Sequence, residues 1–86
     1  MSKSTKFIFE FMEEINPDAM RLDGFDDCAI GIVQKFSGEV LLYSEKKIIR
    51  KLMKSMTKDE AWEYFNYNIL GAYVGDYTPV FLLENT

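Results

Sequence analysis

Two runs rich in β-branched and aromatic residues, Ala29 to Phe36 and Val40 to Tyr43, are separated only by Ser37, Gly38 and Glu39. So short a connection folds the second run back along the first, and the pair reads as an antiparallel hairpin. A lone hairpin is marginal in water, so the rest of the chain must supply a further strand or a helical cover. Residues 28 to 33 are almost continuously apolar, which predicts cover on both faces, and Gly31 within them predicts a close approach by another backbone or side chain. The third strand is Tyr77 to Leu83, entered through Pro79.

Three segments read as helices. From Thr5 to Ile15, after a Ser4 cap, Phe7, Phe11 and Ile15 recur at helical spacing and, flanked by Ile8 and Met12, form the expected core stripe, until Asn16 and Pro17 end the helix. A polar connector follows, holding Asp18, Asp23, Gly24, Asp26 and Asp27. Ser44 caps a second helix with Ile48, Ile49, Leu52, Met53 and Met56 on one stripe and Lys46, Arg50 and Lys54 on another. At Thr57, Lys58, Asp59, Glu60 stands a capping box, in which hydroxyl and carboxylate each satisfy an orphan backbone donor. The third helix then buries Ala61, Trp62, Phe65 and Ile69, leaves Glu63 outside, and runs to about Leu70 before Gly71 or Gly75 stops it. The expected architecture is α+β: three helices packed on one face of a small three-stranded sheet made of the hairpin and the C-terminal strand, in a single compact domain over residues 1–86.

Composition narrows the chemistry. The 86 residues contain no histidine and one cysteine, which removes histidine-based catalysis, an internal disulfide and nearly every zinc site. The expected protein is not an enzyme and carries no metal and no cofactor. No apolar stretch approaches the roughly 20 residues that span a bilayer, and the N-terminal residues do not read as a leader peptide, so a cytoplasmic protein without membrane partners is expected. The net charge of -4 is laid out in blocks: Lys46, Lys47, Arg50, Lys51, Lys54 and Lys58 face only Glu39 and Glu45, between acidic segments on either side. A basic patch inside an acidic envelope favours head-to-tail self-contact, hence a homo-oligomer, or an anionic ligand, over sequence-specific binding to nucleic acid.

Few residues offer reactive chemistry. Asp26 and Asp27, with Asp23 near, have the chemistry of hard-metal ligands but lack calcium-loop spacing, and read as turn formers. Cys28, beside Ala29 and Ile30, reads as a small buried residue. Gly71 to Gly75 lacks the Lys and Ser/Thr of a phosphate loop and reads as a helix stop. Two features point to binding. Arg50 and Lys54 sit on a cationic helix face suited to an anion, and Tyr64, Tyr67 and Tyr73, interleaved with Asn66 and Asn68, are more ring and amide than one helix buries on its core side.

The stretches Gly24-Phe25-Asp26-Asp27, Val40 to Tyr43, Met56 to Asn68 and Gly71 to Phe81, with Glu63 to Gly75 matching the pattern Glu-Tyr-Phe-x-x-Asn-x-x-Gly-Ala-Tyr-x-Gly, resemble a family of small uncharacterised tailed-phage proteins. The resemblance covers about residues 20 to 83. It implies a phage origin and singles out Asn68, Gly71, Tyr73, Gly75, Thr78 and Pro79 as residues to test. The function expected on these grounds is a non-catalytic phage accessory protein that binds a host protein, in host takeover or anti-defence. The alternative is a binder of an anionic, nucleotide-like small molecule, with Arg50 and Lys54 on phosphate and tyrosines stacked on the base. An enzyme built on carboxylates, lysines and tyrosines ranks last, and a virion structural role has little support without repeats or heptads.

Overall fold

The computed structural model describes residues 3–71 and 75–83, the side chains of Lys3 and Ser4 aside. In chain order the elements are α1 (Lys3–Ile15), a 3-10 turn (Asp26–Cys28), β1 (Ala29–Lys35), β2 (Gly38–Ser44), α2 (Glu45–Leu52), α3 (Lys58–Tyr64), a π-helical turn (Phe65–Leu70) that continues α3, and β3 (Val80–Leu82). The fold is α+β. β2 is the centre of the sheet, antiparallel to β1 and parallel to β3, with Leu42, Tyr43 and Ser44 opposite Val80, Phe81 and Leu82.

The hairpin differs in detail from its sequence reading. Lys35 pairs with Gly38, so the loop is the two residues Phe36 and Ser37, and Phe36 is a fully exposed tip instead of the last strand residue. Gly38 has φ +138°, and a Cβ there would lie 3.0 Å from the Tyr77 ring, so both backbone conformation and space call for glycine. Gly31 has no unusually close neighbour: a Cβ there would meet only the Leu42 side chain, at an ordinary 3.7 Å. What marks it is a register shift between Ala29 and Gly31, a bulge that leaves Ile30 outside the pairing.

Helix α1 buries the flank of its expected stripe, Ile8 and Met12, and exposes the centre. Ile8, Phe9 and Met12, with Thr5, are buried against the sheet, whereas Phe7, Phe11 and Ile15 are exposed. Six apolar positions lie on α1, enough for two adjoining stripes, and Asn16 ties the end of the helix to the sheet on the side of the buried one. Asn16 Nδ2 donates to the Glu39 carbonyl at 2.8 Å, and Asn16 Oδ1 accepts from the Asp18 N–H at 3.3 Å.

The other helices start where their caps dictate. Ser44 accepts from the Lys47 N–H, ending β2 and opening α2 in one residue. Ile48, Ile49 and Leu52 are buried and Met56 is half-buried, while Met53 of the expected stripe is exposed. Leu41 and Tyr43, two apart on β2, share one cluster with Ile8, Phe9 and Met12 of α1, Ile48 of α2, Ala61 of α3, and Phe65 and Ile69, so all three helices contribute to a single core with that face. β3 is shorter than the sequence implies, covering Val80–Leu82 of the expected Tyr77 to Leu83. Among the described residues no helix is long and apolar enough to cross a membrane.

Candidate functional site

The tyrosine surface begins at the capping box. Thr57 Oγ1 accepts from the Glu60 N–H at 3.2 Å, and the Thr57 N–H donates to Glu60 Oε1 at 3.0 Å. Donation from the Thr57 backbone holds the Glu60 carboxyl below the usual carboxylate range. From this start Ala61, Phe65 and Ile69 all reach the interior. Residues four apart in an α helix drift by about 40° round the axis, and the wider π turn over Phe65–Leu70 takes that drift back. Phe65 is fixed edge-on to both Trp62 and Phe81, with ring centroids 6.2 and 5.2 Å away.

With the interior filled, Tyr64 and Tyr67 stand 41% and 76% exposed. They line, with Asn68, Met56, Glu60 and Glu63, a concavity of about 380 Å³. Two rings, an amide and a thioether thus share one surface with an acidic rim. Glu60, Glu63, Tyr64 and Tyr67 follow the i, i+3, i+4, i+7 spacing of one helix face, so the acids' membership was legible in the sequence though the sequence reading omitted them. Tyr73 lies outside the described residues.

Arg50 and Lys54 lie elsewhere. With Lys47 and Lys51 they line a concavity of about 250 Å³ between α2 and the 3-10 turn, closed by Asp27 and Cys28. Lys51 is already engaged: its Nζ donates to the Gly24 carbonyl at 2.7 Å and to Asp27 Oδ1 at 2.9 Å. This contact holds the Asp27 carboxyl below its usual range and raises the Lys51 ammonium. Among the described residues no carboxylate pairs with Lys47, Arg50 or Lys54. Burial first, then the neighbouring Asp27 charge, pushes the Cys28 thiol up to about 11. Asp26 is occupied by Arg21 at 3.1 Å, whose guanidinium also lies over the Phe9 ring.

The concavity that holds Tyr64 and Tyr67 and the one that holds Arg50 and Lys54 share no lining residue, so these cations and these two tyrosines, which the sequence reading placed in one nucleotide site, line separate hollows. Thr78 joins neither. Its hydroxyl donates to the Gly75 carbonyl at 3.0 Å and stands 3.9 Å from Met20 Sδ, which makes it a turn-closing residue ahead of β3. Fold and surfaces together define a small α+β domain that carries a tyrosine-lined hollow and, apart from it, a cationic one. No family model, curated protein or solved structure matches the chain.

Proposed function

We propose that this chain is a small non-catalytic phage accessory protein that binds a host protein in the host cytoplasm, in takeover or in blunting a defence system. The observation that carries this reading is the exposure of Tyr64 and Tyr67 beside Asn68 on one concavity, while Phe65 fills the adjoining interior and Trp62, expected there too, packs half-buried against it. Tyrosines give large contact area at low entropic cost and anchor many protein interfaces. The Glu60 and Glu63 rim selects a partner surface with cations around an apolar centre. A non-catalytic role is supported by the engagement of Asp26 and Asp27 with Arg21 and Lys51 and by the protonated, buried Cys28. The phage origin rests on the sequence pattern of residues 20 to 83. The test is affinity capture from host lysate with wild-type bait and with Tyr64→Ala and Tyr67→Ala baits of unchanged melting temperature. A partner retained by the wild type is expected to be held at least about tenfold less well by the variants; equal retention on all three refutes the proposal.

A second reading is favoured by Lys47, Arg50 and Lys54, which no carboxylate pairs among the described residues, around their own hollow: a binder of an anionic, nucleotide-like molecule held by its phosphate. In that reading neither Tyr64 nor Tyr67 stacks on the base, since both line the other concavity. Thermal shift with nucleotides and inorganic phosphate tests it, with a rise in melting temperature that Arg50→Ala abolishes as the expected result.

A further inference from the structure

We infer that this chain docks onto a second copy of itself head to tail, the Phe7, Phe11, Ile15 stripe of α1 seating in a cation-rimmed groove between α2 and α3 of the next copy. The stripe is 64%, 42% and 38% exposed from Phe7 to Ile15, and the Phe7 and Phe11 rings stack with centroids 5.8 Å apart. Glu10 and Glu14 lie three residues beyond Phe7 and Phe11, so acids flank the rings on the helix surface. Lys6 reaches Glu10 only at 3.9 Å, with both side chains mostly in water, and leaves that carboxylate available.

The groove has the complementary build. Ile49, Met53 and Trp62 give it an apolar floor, Arg50 and Lys58 stand at its rim with no carboxylate paired to them among the described residues, and its volume of about 330 Å³ takes a pair of side chains. Lys46 adds a further cation, and the one acid lining it, Glu45, is buried, with its carboxyl raised by desolvation. Charge decides among the alternatives. The tyrosine concavity would set Glu60 and Glu63 against Glu10 and Glu14, and pairing α1 with α1 in antiparallel fashion would bring acid flank to acid flank. Because stripe and groove are different surfaces, the contact is heterologous and each copy presents one free stripe and one free groove, which propagates into a ring or a filament. Neither Tyr64 nor Tyr67 lines this groove, so the inference stands apart from host binding.

Sedimentation equilibrium tests it with the wild type, a stripe variant (Phe11→Asp) and a groove variant (Arg50→Glu with Lys58→Glu), each shown folded by circular dichroism; Phe7→Ser replaces the first should it unfold. The wild type is expected to associate with rising concentration and to dissociate with added salt. Each variant alone is expected to self-associate at least about 30-fold more weakly. Mixed, the two variants restore one stripe and one groove and give a 1:1 heterodimer that grows no further. A wild type that is monomeric at every concentration, a variant that associates like the wild type, or a mixture that stays monomeric overturns the inference.

Discussion

The backbone N–H of Leu22 donates to the phenol oxygen of Tyr43 across 3.0 Å, between two buried residues, and so ties the connector after α1 to the central strand. Removing the oxygen alone leaves a buried donor without this acceptor. Tyr43→Phe is therefore expected to cost about 1–3 kcal/mol, read as a lower urea midpoint with an unchanged slope.

Two positions two residues apart on the third helical segment, Phe65 and Tyr67, separate packing from recognition. A chain of 86 residues has roughly 4–13 kcal/mol of stability in all. Phe65→Ala empties the space between Trp62 and Phe81 and is expected to cost about 3–5 kcal/mol, enough to unfold much of the population. Tyr67→Ala is expected to stay within about 0.5 kcal/mol of the wild type, because its ring stands in water. Paired thermal melts check both.

Cys28 is expected to be nearly inert. With its thiol pushed up to about 11 from the ordinary 9.0, the thiolate fraction at mildly alkaline pH falls about a hundredfold on that ground alone. Iodoacetamide should label the unfolded chain at least that much faster than the native one. The sign of the linkage follows: a raised folded value supplies stability that is complete below 9.0 and is lost as pH climbs toward about 11. Cys28→Ser should flatten that alkaline limb.

The Asp27 to Lys51 contact gives a second, weaker pH dependence. Asp27 is depressed when folded, so its contribution is present above the ordinary carboxylate value and disappears as pH falls through the lowered one; Lys51 is raised, so its share is present below its ordinary value and is lost as pH rises through the raised one. Both side chains are substantially exposed, which limits the pair to about 0.5 kcal/mol or less. Asp27→Asn is expected to lower the melting temperature slightly at neutral pH and not at all near pH 2, and the difference should shrink in high salt.

The caps at Ser44 and Thr57 were readable because each depends on residues within four positions, and the hairpin because its partners are close in sequence. Information of longer range was not. Phe7 and Phe11 mimic a core stripe as convincingly as Ile8, Phe9 and Met12 do, and the contacts that accompany the buried choice, the Asn16 bond to Glu39 among them, join residues up to 23 positions apart. The direction of β3 depends on the path of the chain from Ser44 to Val80, which no local pattern encodes. The separation of Arg50 from Tyr64 had the same origin. Side chains on consecutive helices share a site only if the angle between those helices permits it, and sequence spacing carries no such angle.

The parallel pairing of β2 with β3 has a consequence for synthesis. Leu42 and Val80 are 38 residues apart, so while the polypeptide is being made, the hairpin and both intervening helices leave the ribosome before the strand that seals the far margin of β2. Until then that margin is an unpaired template, and its closure carries a larger loop-closure cost than that of the hairpin.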